Sequence, residues 1–407
     1  MMTSRTLTAI PLHPQFVFDD SALDEMSRLF DGDWVWQEFL TRFGERSGTP
    51  HRIRVRQFSH DPGRRALVSY VAEWPPDEFI PDEQFSFEIR RDWDMSVYRY
   101  PEDPYLPGLV EAASVESALK LVNRHVLAVP ARRVRVDMVR YRPGNRAVLR
   151  HRFGRFGFYV RVMRPSALEP FPKAARLVQR SGFVAPRIAG CWEAGGVVWL
   201  SEIPGRNLRR YIRRDKRPPA ETLLDGLEAL WDVPLGTEGT SPFNLERAYR
   251  RAKGAFRKAL VSDGNARSIL GAAVRSLDPF VRSWEPTHTA HNDFYDDQML
   301  ILPDGRIALV DFEEAGPGDP LLDVGNFLAH LRWVSHFGRE REAAAKSAYH
   351  EIFRGAALER MGWDGQDLAM REAVCLFRVC TNAIRHPRTD WRDRLEEGLT
   401  LVNEILE

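Results

Sequence analysis

A short hairpin pattern interrupts a C-terminal third whose apolar residues otherwise recur at helical spacing. From residue 221 onward that spacing predicts mostly helix, but residues 298–312 contain two short apolar runs, QMLIL and RIALVDF. The intervening PDG is a strong turn signal, and apolar, β-branched runs on both sides of such a turn predict an antiparallel hairpin. Together with strand-rich stretches in the first half of the chain, this pattern predicts an α+β fold.

The predicted hairpin brings polar side chains to one end. If the turn centres near Asp304, antiparallel pairing places Gln298 roughly opposite Asp311, and facing side chains lie about 5 Å apart. Hard cations such as Mg²⁺ prefer oxygen ligands and are held by one or two protein groups together with phosphates and water. Asp293 precedes the hairpin closely enough to face the same spot, where a carboxylate can take or orient a hydroxyl proton. The pattern therefore predicts a metal-phosphate site.

Composition limits the classes of protein to which the chain can belong. The 407 residues are 43% hydrophobic and 28% charged, which predicts a globular protein of two or three lobes. A net charge of +1 gives no reason to expect a nucleic acid or a membrane surface as partner. No apolar run approaches the roughly 20 residues that span a bilayer, and the first 20 residues lack a signal peptide's apolar centre, so we expect a cytoplasmic protein.

Two strand-rich regions precede the helical third. Residues 53–100 contain four β-rich runs that predict a small antiparallel sheet, with helical stretches near 21–43 and 114–126. Residues 134–164 contain a second strand set. The segments HDPGRRALVSY (60–70) and YRPGNRAVLRH (141–151) echo one another, and an internal duplication and shared turn chemistry explain the echo equally well.

Motifs of other enzyme classes are absent from the sequence. There is no GxxxxGK[ST] phosphate loop, no GxSxG elbow, no HExxH helix and no paired CxxC. The three cysteines, Cys191, Cys375 and Cys380, have no metal-binding spacing and predict reduced thiols. Hydrolase, metalloprotease and zinc-module interpretations therefore have no support.

The catalytic and metal-binding segments resemble those of a known family. His291, Asp293 and Gln298 lie in HNDFYDDQML, which is followed by VDFE (310–313) and GDPLLDVGNF (318–327). In this order the segments resemble the aminoglycoside phosphotransferase and choline kinase family, which are small-molecule relatives of the protein kinases. The resemblance covers about residues 134–407 and implies a kinase-like bilobal fold that uses ATP and Mg²⁺. It implies Asp293 as the catalytic residue and Gln298 with Asp311 as metal ligands.

Further segments agree with the family in order. LSEIPGRNL (200–208) resembles the hinge, where the backbone around Glu202 and Ile203 would bind adenine. VRYRPGNRAVLRHRF (139–153) resembles the first two strands of the small lobe, whose turn would cover the phosphates with backbone N–H groups. YVRVMR (159–164) would be the third strand.

The sequence departs from the family pattern at three places. Gln298 stands where an asparagine is usual, a feature that also resembles the maltokinase branch with its N-terminal cap domain. Tyr295 replaces a histidine or lysine and brings no positive charge to the transferring phosphate. The third strand has no lysine, so Arg161 or Arg164 must hold the phosphates, and we favour Arg161. The usual acidic partner of this cation is also missing, with Glu169 the nearest acid.

Neighbouring polar residues are expected to have supporting roles. His291 is predicted to orient the loop through hydrogen bonds to backbone or to Asp311, Asp319 to cap a helix, and Asp323 to brace the catalytic loop. Four other acids lie near Asp311 or in the segment HNDFYDDQML. Metal or substrate contact and solvent exposure are equal alternatives for Glu313 and Glu314, whereas solvated loop charges are predicted for Asp296 and Asp297.

These observations predict a kinase-like fold with an added N-terminal β-rich cap-like domain. We expect three units: residues 1–127 as the cap-like domain, 128–203 as the β-rich N-lobe and 204–407 as the helical C-lobe. The expected activity moves the γ-phosphate of Mg-ATP to a hydroxyl of a small molecule, such as an antibiotic, another natural product or a sugar. A maltokinase-like sugar kinase and a nucleotide-binding pseudokinase are the alternatives. The acceptor, ATP against GTP, the oligomeric state and the role of the N-terminal domain stay open.

Overall fold

The computed structural model describes most of the chain. It covers residues 26–44, 49–61, 63–75, 80, 82–90, 94–126, 131–154, 156–214, 216–235, 243–260, 263–385 and 390–407. The expected boundary between residues 127 and 128 lies outside the described residues, as do residues 1–25 of the expected cap-like domain.

The N-terminal region forms a four-stranded antiparallel sheet with its strands in sequence order. The strands are β1 (Arg52–Asp61), β2 (Arg65–Glu73), β3 (Glu83–Arg90) and β4 (Met95–Arg99). Alternate residues of β3, such as Phe85 and Phe87, are buried on one face because side chains of a strand alternate between faces. Helix α1 (Gly32–Phe43) covers this face, with the rings of Phe39 and Phe85 4.5 Å apart. The predicted sheet and helix are therefore confirmed.

A five-stranded antiparallel sheet forms the N-lobe. After helices α2 (Leu109–Ala113) and α3 (Val115–His125), its strands follow in the spatial order β5-β6-β7-β9-β8. They are β5 (Arg135–Arg142), β6 (Arg146–Phe153), β7 (Phe156–Met163), β8 (Ile188–Trp192) and β9 (Val197–Ser201), with α4 (Pro165–Leu168) and α5 (Phe171–Gln179) after β7. Leu109 and Val122 from the two preceding helices share a hydrophobic cluster with this sheet, so they belong to the N-lobe core.

The C-terminal half is mainly helical, as predicted. Its elements are β10 (Arg206–Asn207), α6 (Leu208–Ile212), α7 (Ala220–Trp231), α8 (Leu245–Ala259), α9 (Gly264–Ser283), β11 (His288–Ala290), β12 (Met299–Ile301), β13 (Ile307–Leu309), β14 (Gly316–Gly318), α10 (Pro320–Phe337), α11 (Glu340–Met361), α12 (Gly365–Val379), α13 (Thr381–Arg385) and α14 (Trp391–Leu406). Among the described residues, no helix is both long and apolar enough to cross a bilayer.

The N-terminal region contacts both lobes. One hydrophobic cluster joins the N-terminal sheet to helices α8, α9, α12 and α14 of the C-lobe, and it includes Phe58, Phe377 and Trp391. Helices α2 and α3, which follow the same sheet in sequence, pack instead on the N-lobe. The segment between β4 and α2 therefore connects a sheet anchored on the C-lobe with helices anchored on the N-lobe.

The two hairpins that echo one another in sequence share their turn geometry. In the first, Asp61 pairs with Arg65 across a three-residue turn, and Gly63 has φ +72°. In the second, Arg142 pairs with Arg146 across another three-residue turn, and Gly144 has φ +68°. A positive φ favours glycine at the turn centre, which accounts for the shared glycine. Pro62 lies outside the described residues.

The predicted hairpin is present with its predicted turn, but the residue opposite Gln298 differs by one position from the expectation. Met299 pairs with Leu309 and Ile301 with Ile307, which centres the turn at Asp304 as predicted. The same register places Gln298 opposite Val310, whose backbone N–H donates to the backbone carbonyl of Gln298 at 3.0 Å. The expected pairing of Gln298 with Asp311 is therefore wrong by one position, because Asp311 lies one residue beyond the paired strand.

Candidate active site

The loop after β11 is held by a buried carboxylate. Asp323, on α10, accepts hydrogen bonds from the backbone N–H groups of His291 at 2.8 Å and Asn292 at 2.7 Å. The indole of Trp231 donates to the same carboxylate at 3.0 Å. Asn292 has φ +65°, a conformation that asparagine tolerates better than most residues. Asp323 therefore braces this loop, as predicted.

Asp293 and Gln298 are brought together by this loop. The Gln298 amide nitrogen donates to Oδ2 of Asp293 at 2.7 Å. Burial, followed by the negative charges of Glu314 and Asp311, raises the pKa of Asp293 above its usual range, against the opposing positive charge of Arg378.

The other end of the Gln298 amide has no hydrogen-bond partner within the described part of the chain. Its Oε1 atom is buried, and a buried carbonyl oxygen without a donor is unfavourable unless another group binds it. A hard cation is a suitable partner because it takes oxygen ligands. One side chain thus donates to Asp293 with its nitrogen and has a buried oxygen without a donor.

Asp311 lies in a network of two arginines from the N-lobe. Arg161 on β7 donates through Nη1 to Oδ1 of Asp311 at 3.0 Å and to Glu313, and through Nη2 to the Val310 carbonyl at 2.6 Å. Arg146 on β6 donates to Glu313 at 2.8 Å and to Asp311 at 3.3 Å. Although burial opposes ionisation, the charges of Arg161 and Arg146 keep the pKa of Asp311 below its usual range. Asp311 is therefore an ionised carboxylate whose oxygens accept hydrogen bonds from both arginines.

The two arginines considered for the missing lysine have different surroundings. Arg161 is 8% exposed and reaches the acids of the loop after β13. Arg164 instead donates to the Gly144 carbonyl at 2.8 Å and stacks over the ring of Tyr105 at 4.6 Å. Only Arg161 of this pair contacts the candidate metal-binding residues. The acids that pair with it are Asp311 and Glu313 rather than Glu169.

The predicted hinge follows β9 directly. The side chain of Glu202 forms an ion pair with Arg150, in which Nη2 lies 2.9 Å from Oε2. The carboxylate fits against Gly157 of β7, where an added Cβ would collide with it. The Glu202 side chain is therefore paired within the protein.

One expectation for the catalytic loop is wrong. Asp296 is 3% exposed rather than solvated, and its carboxylate pairs with Lys346 of α11, which is fully buried. Burial lowers the pKa of His291 to about 4, against the charge of Asp311 and a hydrogen bond of the ring with the Asp311 backbone, which is the contact expected from the sequence. The backbone N–H of His291 is held by Asp323, and its ring packs against Phe294. Asp297 is exposed, as predicted.

Sequence reasoning missed the contacts of Arg146. The position of Arg146 in the sequence could have indicated these contacts, because Arg146 directly follows the turn predicted to cover the phosphates. It pairs across the strands with Arg142. The side chains of directly paired residues point to the same face of a sheet, so these two arginines lie side by side. The expectation that the turn offers free N–H groups is not met at Gly144 and Asn145. Gly144 donates to Asp103 at 2.8 Å, and Asn145 donates to the Arg142 carbonyl at 3.1 Å.

Comparison with known proteins identifies the family. A family model described as the phosphotransferase enzyme family, APH, matches residues 144–363, which is more than half of the chain. The chain belongs to this family. The predicted kinase-like fold, the resemblance to small-molecule kinases of this type and the assignment as a phosphotransferase are confirmed. No curated protein sequence matches the chain.

Several solved structures are similar to part of the chain. Ethanolamine kinase of Plasmodium vivax is 12% identical, with a TM-score of 0.46 over 66% of this chain and 82% of that one. Choline kinase of Cryptosporidium parvum is 10% identical, with a TM-score of 0.49 over 71% and 94% of the two chains. Aminoglycoside phosphotransferase APH(4)-Ia, in complex with AMP-PNP and hygromycin B, is 16% identical, with a TM-score of 0.49 over 71% and 98%.

Proposed function

We propose that the protein transfers the γ-phosphoryl group of Mg-ATP to a hydroxyl group of a small molecule. The observation that carries this proposal is the two-ended contact of Gln298. Its amide nitrogen binds Asp293 at 2.7 Å, while its buried amide oxygen is left for a cation. A catalytic carboxylate and a metal-ligand oxygen on either side of one amide are the arrangement that phosphoryl transfer to a hydroxyl requires.

The residues at the metal position fit a magnesium ion. Gln298 offers a neutral oxygen, and Asp311 is ionised beside Arg161 and Arg146. One or two protein oxygens suffice, because Mg²⁺ takes its other ligands from phosphates and water. When bound, Mg²⁺ would neutralise phosphate charge and hold the phosphates in place. Gln298 and Asp311 are the residues that would hold it.

The proposed nucleotide contacts come from the N-lobe. Arg161 and Arg146 are the cations nearest to Asp311, and their planar guanidinium groups can each bind phosphate oxygens in pairs. Arg161 takes the position of the family's lysine in this proposal. Adenine would bind the backbone at Glu202 and Ile203, since the Glu202 side chain is held by Arg150.

Asp293 is the proposed base, or the group that orients the acceptor hydroxyl. Its raised pKa follows from burial and from two neighbouring acids, so a cation bound at Asp311 would favour its ionised form. Catalysis would then come mainly from positioning and charge neutralisation, because the transition state of phosphoryl transfer is loose. Tyr295 stacks on His330 with ring centroids 4.1 Å apart, so it places an aromatic surface rather than a positive charge beside Asp293.

The acceptor is proposed only as a class: a small hydroxylated molecule such as a natural product, an antibiotic or a sugar. The division into units 1–127, 128–203 and 204–407 is likewise a proposal. The contact of α2 and α3 with the N-lobe sheet favours an N-terminal unit that is integrated with the nucleotide-binding lobe.

Mg-dependent ATP turnover with a panel of hydroxyl acceptors tests this function. We expect turnover by the wild type and a loss of about 100-fold or more in Asp293→Asn, the scale of general-base contributions. Asp297→Asn is the matched control, since Asp297 is exposed in the same loop and should keep full turnover. ATP binding without turnover on any acceptor would contradict the proposal in favour of a pseudokinase. Preference for maltose would favour the sugar-kinase alternative.

A further inference from the structure

A buried aspartate from the N-terminal region contacts the turn above the candidate active site. Asp103 lies between β4 and α2 and is 5% exposed. Its Oδ2 accepts from the backbone N–H of Gly144 at 2.8 Å and from the hydroxyl of Tyr141 at 2.9 Å. Its Oδ1 accepts from the N–H of Tyr105 at 2.9 Å, which fixes the orientation of the carboxylate.

The peptide groups of Gly144 are held from both sides. Asp103 binds the N–H, and Arg164, stacked over Tyr105, binds the carbonyl at 2.8 Å. With φ at +68°, Gly144 has a conformation that other residues rarely adopt, and an added Cβ would lie 3.3 Å from the Tyr105 ring. The turn between β5 and β6 is therefore fixed by groups outside its own hairpin.

Directly after this turn lies an arginine that reaches Asp311 and its neighbour Glu313. Arg146 begins β6 two residues after Gly144, and its guanidinium contacts both Asp311 and Glu313. A small rotation of the turn would move the start of β6 and displace that guanidinium. The Gly144 N–H is already bound to a carboxylate, so phosphate contact at this turn falls to arginine side chains.

We propose that Asp103 is a positioning residue of the nucleotide site: it holds the Gly144 N–H so that the β5–β6 turn presents Arg146 to the phosphates. This gives the N-terminal region a part in nucleotide binding without contact to the nucleotide. The inference rests on the proposed function, because it assumes that Arg146 meets the phosphates of ATP.

Calorimetric binding of Mg-ATP and of adenosine to the full-length protein tests the inference. Asp103→Ala is expected to weaken ATP binding about tenfold, the size of one hydrogen bond to a charged group, and to leave adenosine binding within about twofold. Asp103→Asn keeps an oxygen for Gly144 but turns its NH2 group toward the N–H of Tyr105, so it should weaken ATP binding less than Asp103→Ala does. Glu102→Ala is the control, since this neighbouring acid is 57% exposed and pairs only with Arg99 at 3.5 Å among described residues.

Amide hydrogen exchange of residues 141–146 without nucleotide provides the second measurement. Asp103→Ala should increase exchange at Gly144, and Asp103→Asn should increase it less. Unchanged ATP affinity in Asp103→Ala, equal weakening of ATP and adenosine, or unchanged exchange at Gly144 would each overturn the inference. A wild type that binds no ATP would instead refute the proposed function, which separates the two failures.

Discussion

Replacing Asp323 with alanine should destabilise the fold and disable the catalytic loop together. The substitution removes the acceptor of two backbone N–H groups, at His291 and Asn292, and of the Trp231 indole. Each buried donor without an acceptor costs about 1–3 kcal/mol, and water can enter the space left by alanine. Taking the lower end for each of the three donors gives a loss of about 3 kcal/mol in the free energy of unfolding.

The effect on turnover should exceed that of a general loss of stability. Asp293 follows the two released N–H groups directly, and a displacement of about 1 Å at a reacting group can reduce the rate about 100-fold. Denaturant unfolding and ATP turnover of Asp323→Ala measure the two effects.

Asp319 offers a matched control four residues earlier on the same helix. Its carboxylate also accepts three hydrogen bonds, from the Leu321 N–H at 2.9 Å, the Trp284 indole at 3.2 Å and Arg371 at 3.2 Å. Asp319→Ala should cost a similar free energy and keep most of the turnover of the folded enzyme. The bracing argument fails if the free energy of unfolding of Asp323→Ala lies within about 1 kcal/mol of the wild-type value. It also fails if Asp323→Ala and Asp319→Ala lose turnover equally.

Two further predictions concern buried polar groups. Burial lowers the pKa of His151 to about 4, and its Nδ1 accepts a hydrogen bond from the Trp199 indole. The neutral His151 ring therefore stabilises the fold fully above pH 6.5, and this stabilisation is lost as the pH falls towards 4. Between pH 7 and pH 5 the free energy of unfolding of the wild type should fall by about 2 kcal/mol more than that of His151→Gln, as measured by denaturant unfolding. An equal fall in both proteins would refute the assignment. Lys346→Met leaves the buried Asp296 unpaired and should cost about 3–5 kcal/mol, whereas the double variant with Asp296→Asn should recover most of it; additive effects in denaturant unfolding would refute the pairing.

Local patterns predicted the elements that position the site. The turn chemistry of PDG and the flanking apolar runs were sufficient for the hairpin and its centre at Asp304. Helical spacing predicted the helices of the C-lobe. These features depend on residues close in sequence, which is why they can be derived without a structure. The bracing of the loop by Asp323 spans 32 residues, and its prediction relied on the resemblance of GDPLLDVGNF to the family's segment.

Side-chain partners from distant segments were not predictable. Asp296 and Lys346 are 50 residues apart, and nothing in the acidic stretch around Asp296 indicates that α11 buries it. The pairing of Arg146 with Glu313 spans 167 residues and depends on how the two lobes dock. The offset at Gln298 has a different cause, since the predicted turn centre at Asp304 already places Gln298 opposite Val310, and Asp311 lies one residue further along.

The affinity of Mn²⁺ in the presence of ATP, measured by electron paramagnetic resonance, tests the central claim most directly. Mn²⁺ uses the same oxygen ligands as Mg²⁺. We expect Gln298→Ala and Asp311→Asn to bind Mn²⁺ about tenfold or more weakly than the wild type, the lower end of what disturbing a metal site costs. Asp304→Asn, at the exposed tip of the same hairpin, should bind it as the wild type does. Wild-type Mn²⁺ affinity in both Gln298→Ala and Asp311→Asn would contradict the account.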